Sequence, residues 1–496
     1  MRSPPTDPNA PEHFDVLIVG AGISGVGGAY HLRQFCPEKS FVLLETKDTF
    51  GGTWAQHTYP GIRSDSDLYT FGYSFKPWTG PPIATAAEIL TYMNEVIDEN
   101  DLRRHIRYRH TVTHADWSNE DQRWELEVER GDTGEQLRFT CGFLWMCSGY
   151  YRHSEGYTPD WPGMDRYQGR IVHPQTWPDD LDYTGKNVLV IGSGATAATL
   201  IPAMADDCAH LTMLQRSPTY FYPRPNVDEL ADTLRELQIP DEWVHEIIRR
   251  RNLRDGQVIH QLSEEHPEMV IEELLNAARG YLGDDFDIDT HFRPKYLPWK
   301  QRLAVVPDGD LFKGIASGKV DIVTDHIDTF TERGIRLKSG TELEADIIVT
   351  ATGFNLNQLG DAEFTIDGEP IDYPSKVTYR GVMFSDIPNM AVVFGYLRTS
   401  WTMRADLISN FVCRLLNHMD ERGATVCTPT LSEADRDMEL GPFIPPEDFN
   451  PGYMIRGRDL MPKQGTHAPW TASNDYYIER DEFPAIDLDE PELQFR

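Results

Sequence analysis

Residues 14–25, FDVLIVGAGISG, join a run of β-forming side chains to the glycine turn Gly20-Ala-Gly22-Ile-Ser-Gly25. A strand that meets GxGxxG at the start of a helix predicts a pyrophosphate cradle: amides at the helix N-terminus face the anion, and the missing side chains let it approach. The helical pattern continues to about Phe35. A second apolar strand, SFVLLE, then ends at Glu45, 20 residues past Gly25, where a carboxylate accepts hydrogen bonds from both ribose hydroxyls. The glycines alone are weak evidence, but strand, spacing and acid together specify a βαβ dinucleotide unit.

The pattern returns at 185–200, GKNVLVIGSGATAATL. Its turn, Gly192-Ser193-Gly194-Ala195-Thr196-Ala197, has Ala in the third glycine position, small enough for close helix–strand packing, and Ala198 continues the helix. The strand that follows, LTMLQR, leads into Gln215-Arg216-Ser217 without an acid. A cation and a hydroxyl suit a 2′-phosphate that a carboxylate would repel, so the second unit favours NADPH over NADH. Two such units imply a bound flavin, FAD, and a nicotinamide that reduces it. None of the six cysteines forms a CxxC, so a disulfide-reductase relay is missing and O2 is the natural electron acceptor.

With 496 residues and 40% apolar side chains, two or three domains are expected. The predicted class is α/β: two Rossmann-like dinucleotide-binding domains, for FAD and NADPH, with a helical insertion. The FAD domain takes residues 1–150 and 350–496, and the NADPH domain 151–223 and 291–349. The insertion takes 224–290, which contains the charged, helix-forming stretch DELADTLRELQIPDEWVHEIIRR. Thr85-Ala-Ala-Glu88 is a capping box opening a helix, and RWELEVER alternates as a half-buried strand. ADIIVTATGF predicts a buried strand whose turn leads back to the first domain, and the Pro-, Asp- and Glu-rich tail after about 428 is expected to wrap the surface.

A net charge of −33, with 79 acids against 46 bases and only 11 lysines, argues against nucleic acid or an anionic membrane as partner and suggests a high-salt habitat. The longest apolar runs are too short to cross a bilayer. The start, MRSPPTDPNAPEH, carries prolines where a signal peptide needs an apolar stretch. These features, and cysteines read as small apolar packing, predict a cytoplasmic protein with no integral membrane segment. His105, His110 and His114 lie in an Arg-rich stretch without the ligand pattern of a metal site, and no GxSxG supports hydrolysis.

Two further stretches carry a resemblance. GGTWAQHTYPGIRSDSD at 51–67 and YQGRIVHPQTWPDD at 167–180 resemble signatures of the class B flavoprotein monooxygenases, and the ending Trp177-Pro178 is similar to the type I Baeyer–Villiger form of FxGxxxHxxx[WP]. YPGIRSDSD, SGYY, HPQTWP, IGSGATA, LQRSPTY and PKQG are similar to the ethionamide-activating subgroup. Tyr167 stands where the pattern has Phe. Gln301 stands where a base usually precedes the catalytic arginine, with Lys300 one place earlier.

The resemblance implies an enzyme that consumes NADPH and O2 and converts ketones to esters or lactones through a C4a-peroxyflavin, with sulfides or thiocarbonyls as further substrates. NADP+ would stay bound as part of the shield against water. By position, Arg302 in PWKQRL would stabilise the anionic oxygen species, and Asp65 would orient it, touching both flavin and nicotinamide. Gly52, Thr53, Trp54 and Gln56 would lie along the flavin, Ser24 at its pyrophosphate turn and the Val112 backbone near its adenine; Arg63 and Ser64 would meet NADP. Trp401 is either a core residue at a helix start or an aromatic contact to substrate or flavin. Tyr167, Gly169, His173 and Trp177 sit on the connection between the domains, where a swinging connector needs a tight glycine turn, an aromatic anchor and a histidine that hydrogen-bonds across the hinge. The rival readings are an N- or S-oxygenating flavin-containing monooxygenase, against which Trp177 argues, and a non-oxygenating flavoprotein, either a reductase or a redox-sensing binding protein.

Overall fold

Strand Glu12–Val19, all apolar from Val16 onward, lies in the computed structural model between the parallel strands Phe41–Glu45 and Glu135–Met146. The structure describes residues 11–496, so most of the proline-rich start on which the absence of a signal peptide was argued lies outside the described residues. Ile106–Tyr108 extends this parallel set on one side. On the other, Glu135–Met146 pairs along its first half with the antiparallel strand Arg123–Arg130 and along its last three residues with the parallel strand Met390–Val392. Helix Ile23–Phe35 follows the first glycine turn, and helix Ala86–Glu99 opens on the capping box formed by Thr85 and Glu88.

A second sheet has five strands, ordered Val320–Thr324, His210–Gln215, Asn187–Ile191, Ile347–Thr350 and Arg170–Val172, every pairing parallel. Fully parallel strands are apolar on both faces because helices cover both, which is why NVLVI and IIVT read as unbroken hydrophobic runs. The chain passes from the first sheet to the second after Met146 and returns after Thr350. These two connections pair with each other as the short antiparallel strands Tyr151–Gly156 and Phe354–Leu356.

Between 224 and 290 the chain forms helices Glu229–Glu236, Asp241–Glu265 and Pro267–Leu282. They divide between two cores: Ala231, Val244 and Ile248 pack with the first sheet's helices, while Ile271, Leu274, Leu275 and Ala278 pack with the second sheet's. Arg249 is buried and donates to the carbonyls of Tyr69, Thr70 and Gly72 at 3.0–3.2 Å, satisfying the C-terminus of the short helix Leu68–Phe71.

The tail departs from its composition. Trp470, Phe483, Ile486 and Leu493 are buried in the first core, and Leu493–Phe495 pairs with Cys427–Pro429. The expected surface wrap is therefore partly core, because the acid that enters with it, Glu479, is neutralised by Arg404 of the long helix Trp401–Arg422 through bonds of 2.8 and 3.1 Å. All six cysteines are free.

Candidate active site

The first turn shows why its glycines are needed. Gly20 has φ +102°, and a Cβ there would come within 2.7 Å of the Cys147 carbonyl oxygen; one on Gly25 would fall 2.0 Å from the Gly20 oxygen. Gly22 caps the helix in extended conformation with no side-chain bond to the first-turn amides, which leaves them for an anion. Glu45 is only 7% exposed, and its carboxylate is fixed by the amides of Ala21 at 2.8 Å and Lys47 at 2.9 Å. The second turn repeats the plan: Gly192 has φ +134° with Ala351 against it, and Gly194 caps helix Ala195–Met204 without a side-chain bond.

Both turns open on one cleft of about 1260 Å³. Gly20, Gly22, Ser24, Glu45 and Val112 line its first wall, with Gly52, Thr53, Trp54 and Gln56 beside them. Gly192, Ser193, Gly194, Ala195 and Thr196 line the opposite wall, with Arg216 and Ser217 at the strand end. The other named residues support these walls. Gly25, Ala197 and Ala198 lie in the packing behind the turns. Gln215 donates its amide to the His291 carbonyl at 2.7 Å and to Thr324 at 2.8 Å. Arg63 and Ser64, expected to meet NADP, are turned away: Arg63 pairs with Asp310 at 2.5 Å, and the Ser64 hydroxyl accepts from the Ala84 amide. The pairing explains Arg63's departure, since a guanidinium with a carboxylate within reach is held by it.

Arg302 and Asp65 meet at the junction of the walls as a bidentate pair, Nε to Oδ2 at 2.7 Å and Nη2 to Oδ1 at 3.0 Å. Burial alone would raise the Asp65 carboxyl, but the charge and hydrogen bonds of Arg302 outweigh it and hold Asp65 below the usual carboxylate range. The Asp65 charge in turn raises Arg302. The pair is intact at neutral pH and is lost only as pH falls through the depressed carboxylate pKa.

A flavin-binding monooxygenase-like family model matches residues 72–227, and an NAD(P)-binding Rossmann-like model residues 18–82. The FAD-containing monooxygenase EthA of Mycolicibacterium smegmatis is 47% identical over 486 residues, 98% of this chain and 97% of that protein. The chain belongs to the FAD-containing monooxygenases. The probable FAD-binding monooxygenase AlmA of Acinetobacter baylyi is 43% identical over 98% of the chain and 96% of its own length. Among solved structures, a steroid monooxygenase bound to NADP superposes with TM-score 0.75 at 22% identity, covering 97% of this chain and 99% of its own. Cyclohexanone monooxygenase from Rhodococcus sp. Phi1 bound to NADP+ does so with 0.75 at 20%, covering 98% and 100%. At such identities the likeness concerns the fold.

In this monooxygenase the segment 167–180 ties the connections together. The neutral His173 ring accepts the Gln175 amide on Nδ1 at 3.1 Å, which leaves Nε2–H to donate to the Gly353 carbonyl at 3.2 Å; burial lowers its pKa and keeps it uncharged. Gln175 donates to the Arg152 and His153 carbonyls and accepts on its own carbonyl from Gln56 of the flavin wall at 3.0 Å. Gly169 lies at a bend of the chain and is required by close approach as well: a Cβ would lie 2.3 Å from the Tyr167 hydroxyl and 2.4 Å from the Asp346 carbonyl. The Tyr167 hydroxyl, absent from a Phe, donates to the Ala345 carbonyl at 2.8 Å, and Trp177 packs edge-on against Tyr183 in the second core. Replacing His173 by Ala removes a bond between the second sheet and the returning connection worth roughly 1 kcal/mol, so turnover is expected to slow several-fold with more hydrogen peroxide formed, while FAD is retained. The ratio of flavin to protein absorbance in the purified variant checks retention.

Trp401 is partly buried against two cores and also faces the cleft. It begins its helix, donating Nε1–H to Ser24 at 2.9 Å and stacking on Tyr150 with ring centroids 5.1 Å apart. Tyr150 and Tyr453 complete the aromatic wall beside Arg302, and neither was singled out from sequence. Tyr150 follows a strand and a Ser-Gly turn, a signal available in SGYY; Tyr453 lies in the tail, where no motif marks it.

Proposed function

We propose that this flavin monooxygenase uses NADPH and O2 to insert one oxygen atom into a small carbonyl substrate, giving an ester or, from a cyclic ketone, a lactone. The observation that carries the reading is the Arg302–Asp65 pair standing where two dinucleotide cradles open on one cleft. The cradles fit the cofactors on their own geometry: glycines where a Cβ would collide, uncapped helix amides, and the prepositioned Glu45 carboxylate. Bound FAD, reduced by NADPH, supplies the oxygen-transfer chemistry.

The protein's part is binding, orientation and electrostatics. Glu45 would hold a ribose, the two turns the pyrophosphates, and Ser217 with Arg216 the 2′-phosphate that distinguishes NADPH. Arg302 presents a fixed positive charge to the negative charge that develops as a carbonyl carbon is attacked, and Asp65 sets the plane of its guanidinium. Tyr150, Trp401 and Tyr453 make that end of the cleft apolar, which strengthens the charge and keeps water away. The free thiols fit a reducing compartment, and we place the enzyme in the cytoplasm; among the described residues no helix is long and apolar enough to cross a membrane.

The test is a product assay of the FAD-loaded enzyme with NADPH, O2 and a panel of linear, cyclic and aryl ketones together with sulfides. Ester or lactone formed in step with NADPH oxidation is the expected result. NADPH oxidation that yields only hydrogen peroxide with every ketone and sulfide overturns the reading.

A further inference from the structure

Two arginines that line the cleft have no carboxylate partner among the described residues. Of the basic side chains that line it, Arg302 is paired with Asp65, and Arg152 with Glu155 and Asp361. Lys47 lies on the flavin wall, where its backbone amide donates to Glu45 and its ammonium has no ion pair among the described residues. Arg216, at the end of strand His210–Gln215, and Arg456, on helix Gly452–Gly457, have no acidic partner among the described residues. Asp325, a carboxylate of the same cleft, is engaged by the amides of His326 at 2.6 Å and Ser339 at 3.2 Å.

Arg456 is held in place by protein groups that do not neutralise it. Its guanidinium lies over the Tyr157 ring, 3.4 Å from the centroid, and donates to the Phe354 carbonyl at 3.3 Å. Its pKa is lowered, first by burial and also by the charge of Arg216. Two like charges brought together at a cleft wall repel, and an anion between them relieves that cost. The residues before Arg302 supply no further cation to the cleft: Gln301 is neutral and donates to Asn450 at 3.3 Å, and Lys300 is turned to the Glu447 carbonyl.

We propose that Arg456 joins Arg216 in binding the 2′-phosphate of NADP(H), so that the C-terminal segment supplies a second cation to that site. The proposal rests on the reading that NADPH is the reductant. Tyr157 follows the first connection and Phe354 lies on the second, so the arginine that meets the phosphate is seated on the paired strands between the sheets.

The experiment titrates FAD-loaded wild type, Arg456→Met, Arg456→Lys and Arg216→Met with NADP+ and NAD+ by calorimetry, with 2′,5′-ADP and 5′-ADP as fragments. A charge-assisted contact predicts that Arg456→Met weakens NADP+ and 2′,5′-ADP by about tenfold or more and leaves NAD+ and 5′-ADP unchanged. Arg456→Lys should recover part of the preference. The proposal is overturned if Arg456→Met keeps the wild-type ratio of NADP+ to NAD+ affinity, or if both cofactors weaken equally, which would mark a purely structural role on Tyr157. A wild type that binds NAD+ as tightly as NADP+ would instead refute the NADPH reading itself.

Discussion

Arg302→Ala is expected to lower ester or lactone formation by about 10²- to 10³-fold while anaerobic reduction of the flavin by NADPH stays near the wild-type rate. The separation follows from where the guanidinium stands. It is held by Asp65 at the mouth of both cradles, stacked on neither turn, so its removal leaves the pyrophosphate sites and Glu45 as they are. What disappears is the cation beside the aromatic end formed by Tyr150, Trp401 and Tyr453, where two unit charges about 4 Å apart interact several times more strongly than in water. Stopped-flow bleaching of the flavin measures the first half-reaction and product yield the second. Full oxygenation by the variant would remove Arg302 from the mechanism; loss of flavin reduction as well would assign it to nicotinamide placement.

The second large effect is on stability. Arg404 is 0% and Glu479 2% exposed. Besides its two bonds to Glu479, Arg404 donates to the carbonyls of Phe394 at 2.9 Å and Arg380 at 3.1 Å, and the Tyr396 hydroxyl donates to Glu479 at 2.7 Å. Replacing Arg404 by Met leaves a carboxylate stranded in the core and is expected to cost about 3–5 kcal/mol, whereas Arg404→Met combined with Glu479→Leu should recover much of the loss. Thermal melting of the three variants decides this; a single variant as stable as the double would show that the charge is not isolated. Because Trp401 lies one turn earlier on the same helix and bonds to Ser24 beside the first turn, the single variant should also shed FAD more readily.

What could be read without coordinates was whatever is encoded locally. Both glycine turns, Glu45 and the end of the second nucleotide strand lie within short spacings, and the structure places Gly20, Gly22, Glu45, Gly192 and Arg216 on one cleft. Asp65 and Arg302, 237 residues apart, were named from signatures that resemble a family, and their contact is real in the fold. The misses share a cause in distant partners. Arg63 leaves the cleft because Asp310 is there to take it. The tail enters the core because Arg404 neutralises Glu479 and Asp435 accepts the indole N–H of Trp470 at 3.2 Å, neither of which a Pro- and acid-rich composition reveals. Gly169 does lie at a bend, and beyond what its spacing reveals it makes room for the hydroxyl that distinguishes Tyr167 from Phe.

The insertion helices bear on how far this protein can be taken apart. Asp241–Glu265 and Pro267–Leu282 meet at a single residue, His266, and each is seated in a different core. A fragment cut out between the two connections would carry away Ala231, Val244 and Ile248, so the remaining first half would expose the apolar surface they cover, and the fragment itself would display three orphaned side chains. The two nucleotide units are therefore genetically interleaved rather than modular, and exchanging one of them between relatives means exchanging the elbow at His266 together with both of the surfaces it joins.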